Sequence, residues 1–530
     1  MISRPSIGRA LKAGGMKAGI LNGGTILLRP ALSKGWGDRS AIEFENQTVT
    51  YDQLNQRSNR FAAACVAAGV EPGDRVAILL LDRPAFVYAF VGAMKAGAVP
   101  IAVNTRAVAT EIAHILEDSN AKMVVAEEFF DKTLNPALTM AKTEPRVVLL
   151  GDQGSLEDFI GGHDPAFPGV PRLMNDMAFW SYSSGSTGQP KGVVHTLDTI
   201  LAADSYMTEI LKVKAGDRLF SSSKLFFAFT LGHILIGGLR SGATIILYHG
   251  WPAPEDITAV VERHRPTVMF SVPTFFKKLL NSGAVGAPIY QEIESYVAAG
   301  ESLPATIFRQ WQGITGRAIL EGIGSTETMY MFLANARGWE MQGVTGTPAP
   351  GVDVRLIDHN GDQIEEPGLP GVLWVRMSGL AREYWQMPER SAEVFNNGWF
   401  KTGDLFVFDG NGCFYHQGRA DDLVKISGQW VSPAEVEKRI NENENVHESA
   451  VVGISDRDGL TRLACFIVPN NRQADREALE TALLESLTTS LPIYKCPRRF
   501  AFLDELPRTA SGKIQRFKLR QLAADQISAR

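Results

Sequence analysis

Short apolar runs, each too brief for a helix, recur along this chain with longer amphipathic stretches between them. That alternation confines the chain to folds in which buried sheets are covered by helices. Strand-like residues 41–44 and 48–51 lead into an expected helix over 51–68 and a strand over 76–81. A helix over 84–96, a strand over 98–103, a helix over 110–118 and a strand over 122–126 continue the series, as parallel strands buried on both faces require. A helix over 197–211, strands over 218–221 and 244–248, a helix over 254–263 and a strand over 268–271 repeat it, which implies a second sheet of similar build. From Val352 the character changes to short alternating strands separated by Gly, Pro and Asn-Gly turns, a small β subdomain. A fresh α+β stretch comes next, with strands over 424–426, 446–454 and 463–468 and helices over 433–441 and 475–487.

The chain, at 530 residues, exceeds what one hydrophobic core sustains, so at least two domains are expected. The boundary falls at Ala420 or Asp421, giving domains 1–420 and 421–530. The fold class is α/β: a large N-terminal domain of two α/β subdomains with parallel-rich sheets plus a small β subdomain, then a small α+β C-terminal domain.

One loop carries the first chemical signal. Tyr182-Ser-Ser-Gly-Ser-Thr-Gly-Gln-Pro-Lys-Gly192 combines Gly185 and Gly188 with the hydroxyls of Ser183, Ser184, Ser186 and Thr187 and the charge of Lys191. Glycines let backbone N–H groups converge, hydroxyls add donors, and the lysine adds a cation, so the loop suits phosphate. It is not a Walker A loop, because Pro190 precedes Lys191 and Gly192 comes after it. A Ser/Gly linker is the alternative, and Phe179, Trp180, Val193 and Val194 pressed against both sides argue against it.

A net charge of −5 with acids and bases intermixed leaves no basic stripe for nucleic acid. Cys65, Cys413, Cys465 and Cys496 are scattered without metal spacing and suit a reducing compartment, the cytoplasm. Arg4, Arg9, Lys12, Lys17, Arg29 and Lys34 precede the first acidic residue, Asp38, as in an organelle presequence. Glycines 14, 15, 19, 23 and 24 interrupt any helix there, and a surface arm is the expectation. No apolar run is long enough for a membrane span.

The loop, taken with five later motifs, resembles the adenylate-forming enzymes: acyl- and aryl-CoA ligases, luciferases and peptide-synthetase adenylation domains. Gly322-Ile-Gly-Ser-Thr-Glu327, Tyr384-Trp385, Gly398-Trp-Phe-Lys-Thr-Gly-Asp404, Gly418-Arg-Ala-Asp-Asp422 and Pro507-Arg-Thr-Ala-Ser-Gly-Lys513 come in that family's order, and the likeness spans residues 40–519. It implies ATP, Mg²⁺ and coenzyme A acting on a small-molecule carboxylic acid, with a homodimer allowed. It implies that Lys513 orients the carboxylate and the α-phosphate, that Glu327 holds Mg²⁺, and that Thr326, beside Ser325, meets the α-phosphate. Asp404 would take the ribose, and Arg419 would reach the same ribose or the phosphate. Gly300-Glu301-Ser302 and Glu321-Gly322-Ile323-Gly324 would flank the adenine. Asp421 would be the hinge of a mobile C-terminal domain whose other face presents Ser427, Gly428, Gln429 and Trp430 to CoA.

Each residue also has a plainer reading. Thr326-Glu327 could cap a helix, Asp404 could be a turn aspartate, and Gly428-Gln429 a hairpin turn. Lys224-Leu-Phe-Phe-Ala-Phe-Thr-Leu-Gly-His233 looks most like the pocket segment of benzoate-type CoA ligases. There Phe226, Phe227 and Phe229 would form an apolar slot, with Ala228 leaving room for a ring. Those ligases carry Tyr-Gly where this chain has Phe229-Thr230, and His where it has Tyr330. The polarity at Thr230, His233 and Tyr330 is thus rearranged, and the acid expected is benzoate-like, or a related cyclic or short branched one. No aspartate lies in 224–233 to pair with an amino acid's amine, and no carrier domain is appended, so CoA is the expected acceptor. A carrier-protein-loading ligase and a non-catalytic nucleotide-binding homologue are the alternatives.

Overall fold

A computed structural model describes residues 20–151, 155–184, 189–338, 341–426, 429–455, 460–471, 473, 475–508 and 514–528. Lys17 and the basic residues before it, Gly185, Ser186, Thr187, Gly188, Ser427, Gly428 and Lys513 lie outside the described residues.

Two large sheets carry the N-terminal part. The first has seven strands in the order Glu383–Tyr384, Pro190–Thr196, Met177–Ser184, Val99–Ala102, Arg75–Leu79, Ala121–Glu127 and Arg146–Leu150. Its last four strands are mutually parallel, and Met177–Ser184 joins them in parallel before turning back antiparallel into Pro190–Thr196. The second sheet has nine strands, with Ile319–Gly324, Ser295–Ala298, Val268–Ser271, Arg218–Ser221 and Thr244–Ile246 running parallel at its centre. Strands Ser40–Phe44 and Gln47–Thr50 open the first alternating stretch of sequence, yet they sit at the edge of this second sheet, where Ile42 stands opposite Ile245. The hydroxyl of Tyr51, next in sequence, donates to Ala243 O at 2.7 Å.

Helix Pro84–Lys95 shows why the two sheets form one body. Proline at its first turn suits a position whose N–H has no helical partner, and every residue except Ala85 is buried. A helix apolar all round belongs inside a core. Its Phe86 and Phe90 join Val76 and Ile78 of the first sheet and Leu219, Ile245 and Phe270 of the second in one continuous cluster.

A six-stranded antiparallel sheet comes next, containing Asp353–Ile357, Gly371–Arg376, Trp399–Phe408 and Phe414–Arg419. It meets the second sheet at Gly346, which bridges Phe414. Gly346 has φ +136°, and a Cβ there would lie 2.2 Å from the carbonyl carbon of Ala334. Gly343, at φ +75°, has nothing near such an atom. Gly346→Ala is therefore expected to cost about 3 kcal/mol or more, from backbone strain plus overlap. Gly343→Ala should cost about 1 kcal/mol. Denaturant unfolding checks both, and equal costs would show that the joint yields.

Beyond the short turn Ala420–Asp422 come the hairpin Val424–Ile426 with Gln429–Val431 and a three-stranded sheet of Val446–Ser455, Thr461–Pro469 and Arg499–Phe502. Helices Pro433–Ile440, Arg476–Ser490 and Arg516–Ser528 accompany them. The guanidinium of Arg516 bonds Glu437 and lies 3.3 Å from Asp422, tying the last helix back to the turn.

Candidate active site

The glycine-serine loop closes a β-hairpin. Met177–Ser184 and Pro190–Thr196 pair antiparallel, with Ser183 opposite Lys191 and Tyr182 opposite Gly192. Phe179, Trp180, Val193 and Val194 are fully buried and root the hairpin in the core. Tyr182 Oη donates to Asp118 at 2.6 Å, and Trp385 Nε1 donates to Asp118 O at 3.0 Å, so the hairpin's flank is fixed as well.

Lys191 Nζ lies 3.3 Å from Glu327 Oε1 and 3.6 Å from the ring centroid of Tyr384. Tyr384, opposite Val193 on the adjacent short strand, donates its hydroxyl to the same Glu327 oxygen at 2.8 Å. Burial alone would push the Glu327 carboxyl upward. The Lys191 charge and the Tyr384 hydroxyl outweigh it and hold the group below the ordinary carboxylate range. The result is a buried, ionised carboxylate beside a cation.

Thr326 and Glu327 do not open a helix. They occupy a tight turn in which Ser325 N donates to Thr328 Oγ1 at 2.9 Å and Met329 takes φ +60°. Gly322-Ile323-Gly324, ahead of it, is the end of strand Ile319–Gly324, where Gly322 and Gly324 back onto Met331, Leu333 and Tyr330. His195 pins the turn from behind, its Nε2 lying 2.9 Å from Thr326 O. A carbonyl only accepts, so Nε2 carries the proton. Burial depresses the imidazole to about 4, against the smaller upward pull of that bond, and keeps it neutral. Phe179 stacks on it at 4.9 Å. Ala381 N donates to Glu327 O at 2.7 Å and holds the turn from its other side.

Asp404 is not on a turn. It lies within strand Trp399–Phe408, directly opposite Arg419, with 3.3 Å between their charged atoms. The ladder skips between Lys401 and Leu405, and Gly403 at φ +76° makes the bulge that aims Asp404. His416 Nε2 stands 3.4 Å from the same carboxylate. The charge of Arg419 is felt at both Tyr384 and Glu327, so the Asp404 pair and the Lys191 cluster share one neighbourhood.

Glu321 is buried, accepts from Leu303 N at 3.1 Å, and is pushed by burial up to about 7. Gly300 has φ +90°, and Glu301, next to exposed Ser302, meets Arg508 at 3.6 Å. Arg508 also bonds Glu448 and forms a bridge with Ile514. Lys277 Nζ donates to His447 O at 2.6 Å. These contacts lay the C-terminal sheet against the loop at Gly300.

Phe227, Ala228 and Phe229 are partly exposed, whereas Phe226 is buried against Phe227 and Trp251. Thr230 Oγ1 pairs with Ser221 Oγ at 3.0 Å, and Tyr330 Oη donates to Thr199 O at 2.9 Å. Asp421 is exposed in the turn Ala420–Asp422, and Gln429 and Trp430 are exposed on their hairpin, with Lys425 Nζ 5.5 Å from the Trp430 ring.

The structure thus gathers Ser183, Lys191, Thr326 and Glu327, with Asp404 and Arg419 alongside. Sequence reasoning missed His195 and gave Tyr384 no part; the partners of both, Thr326 and Glu327, lie far off along the chain. Ser183 Oγ is buried without a hydrogen-bond partner among the described residues, on the strand opposite Lys191. An orphaned hydroxyl, a cation and an ionised hard-oxygen ligand fit a phosphate chain carrying a divalent ion. Among the described residues no three His, Cys, Asp or Glu side chains converge, so such an ion would rest on Glu327 plus phosphate oxygens and water.

Residues 31–385 match the AMP-binding enzyme family, and residues 435–513 match the AMP-binding enzyme C-terminal domain. The chain belongs to the AMP-binding enzymes. Relatives in that family include a 3-hydroxybenzoate–CoA ligase from Aromatoleum sp. (strain CIB), 40% identical over 96% of this chain and 98% of its own. A 3-hydroxybenzoate–CoA/4-hydroxybenzoate–CoA ligase from Thauera aromatica is 39% identical over 94% of this chain and 96% of its own. Among solved structures, a benzoate CoA ligase from Burkholderia xenovorans LB400 aligns with a TM-score of 0.86 at 35% identity, covering 94% of this chain and 100% of that one. An anthranilate CoA ligase in complex with anthranoyl-AMP aligns with a TM-score of 0.88 at 32% identity, covering 95% and 98%. In this AMP-binding enzyme the Lys191–Glu327–Tyr384 cluster and the Asp404–Arg419 pair lie within one such fold. No helix among the described residues is long and apolar enough to cross a membrane.

Proposed function

We propose that this enzyme is an ATP-dependent, AMP-forming aryl-acid–CoA ligase. The buried Lys191–Glu327–Tyr384 cluster carries the reading, because it puts a fixed cation and an ionised oxygen ligand at the root of a glycine-serine hairpin. Hydroxybenzoate and benzoate CoA ligases that match nearly end to end support an aromatic acid and a CoA acceptor.

Lys191, Ser183 and the N–H groups of the loop grip the β- and γ-phosphates. Glu327 holds Mg²⁺, which neutralises phosphate charge when bound. Asp404, steadied by Arg419, accepts from the ribose hydroxyls, and the neutral His195 keeps Thr326 at the α-phosphate. Lys513 aligns the acid's carboxylate oxygen with the α-phosphorus; the P–O bond formed there replaces the one to pyrophosphate, which leaves. The domain boundary lies at Asp421, and rotation about it brings Ser427, Gly428, Gln429 and Trp430 to the CoA side. The thiol sulfur then attacks the acyl carbon, AMP leaves with the C–O bond's electrons, and the thiol proton is lost. Four free, buried cysteines suit the cytoplasm.

A panel of aryl, alicyclic and short-chain acids, assayed for AMP release with and without CoA, tests this. Release with hydroxybenzoates or benzoate that rises about tenfold or more with CoA is the expected result. Release only with non-aromatic acids, or none that responds to CoA, would overturn it.

A further inference from the structure

Three polar side chains distinguish the acyl segments of this chain, and two of them are already engaged. The Thr230 hydroxyl is held by Ser221 and the Tyr330 hydroxyl by Thr199 O. Tyr206, beside them, donates its hydroxyl to Met331 Sδ at 2.9 Å. His233 differs. Its Nδ1 lies 2.8 Å from Phe229 O, an acceptor only, so Nδ1 carries the proton. Nε2 of the neutral ring is then a bare acceptor. It is buried with no partner among the described residues, in a side chain whose residue is only 1% exposed.

The surroundings are aromatic. Tyr206, Phe229, Tyr330 and Phe270 lie with ring centroids 5.0, 5.4, 5.7 and 5.9 Å from that of His233. His233 and Tyr206 sit on the wide-turned helical segments Leu231–Gly238 and Tyr206–Ile210, a rare backbone form that collects at functional sites. Nearly every buried polar atom in a native protein has a partner, and leaving one unmet costs free energy. Burial pushes the imidazole down to about 4, so it accepts rather than donates at neutral pH.

We infer that His233 Nε2 is a specificity-determining acceptor for a hydrogen-bond donor on the substrate ring, so that the preferred acid is a hydroxyl-bearing benzoate rather than benzoate itself. This rests on the aryl-acid reading above. A site built around an acceptor rejects the analogue without the donor, because the acceptor is then left unmet.

The test compares kcat/KM for the three hydroxybenzoate isomers, their methyl ethers and benzoate. In the wild type one hydroxy isomer should exceed both its methyl ether and benzoate by about tenfold or more. His233→Leu should shrink the preference for that isomer over benzoate by about tenfold or more, and His233→Gln, which keeps an acceptor, should recover part of that preference. Equal losses for both acids would show a purely structural histidine. No hydroxyl preference in the wild type, a comparison that needs no variant to fold, would mean that the nitrogen holds only water; either result overturns the inference while leaving the ligase reading intact. Failure of every aryl acid would instead remove the ligase reading and this inference with it.

Discussion

Glu327→Ala is expected to lower acid-dependent adenylation by about 10²- to 10³-fold and to destabilise the protein by about 3 kcal/mol. Both effects come from one geometry. Lys191 has a side chain only 18% exposed and shares Glu327 with the Tyr384 hydroxyl, so alanine leaves a buried cation without that carboxylate. Removing one partner of a buried ion pair costs far more than the pair contributes over an apolar pair of the same shape. The pH dependence has a definite sign. The folded carboxyl titrates below its ordinary value of 4.5, so its contribution is complete above that pH and is lost as the pH falls below it. The stability difference between wild type and Glu327→Gln, measured by denaturant unfolding, should be flat from about pH 6 upward and shrink in more acidic solution. A difference that grows on acidification would mean that the carboxyl is protonated in the folded protein. The kinetic loss should appear as a raised Mg²⁺ requirement, and a loss that does not respond to Mg²⁺ concentration would reduce Glu327 to a merely structural acid.

Lys513→Ala is expected to cut adenylation by about 10²- to 10³-fold while leaving thioester formation from supplied acyl-adenylate within about threefold. The second half of that statement is the informative one. A cation needed only while phosphoryl charge develops contributes nothing once the acyl-adenylate exists. Arg508, five positions earlier, meets Glu301, and Ile514, the next residue after Lys513, bridges Arg508, so the chain on either side is anchored beside the loop at Gly300. Rapid-quench assays of the two half-reactions check the split. Equal loss in both would sink the assignment of Lys513 to adenylation alone.

Much of the architecture was legible from period alone. Buried apolar runs between amphipathic stretches announce parallel strands, and the change at Val352 announces an antiparallel subdomain. Period names a strand, not its neighbour. Residues 40–50 therefore read as part of the first series although Ile42 pairs with Ile245, about two hundred positions away. Thr-Gly-Asp at 402–404 reads as a turn because glycine usually marks one. Gly403 instead supplies a bulge inside a ten-residue strand and so aims Asp404 at Arg419.

Within the site, most residues in motifs were given their parts, but Tyr384, inside the Tyr384-Trp385 motif, was given none, and residues outside the motifs were missed. Thr326 and Glu327 stood out through the resemblance of their motif, but nothing local marks His195, which sits between Val194 and Thr196 near the end of its strand. Its role exists only when Thr326, more than a hundred positions on, is brought to its ring nitrogen. His233 was visible as an odd polar residue in an apolar segment. Only the structure separates it from Thr230 and Tyr330, whose hydroxyls are taken.

The central claim is that Lys191, Glu327, Asp404 and Arg419 form the nucleotide end of a site that activates an aromatic carboxylate. Exchange of labelled pyrophosphate into ATP, without CoA, measures that step by itself. The expected result is exchange that needs Mg²⁺ and an aryl acid and that falls by about 10²-fold or more in Glu327→Ala. Exchange in the absence of any acid, or none with any aryl acid, would contradict the claim.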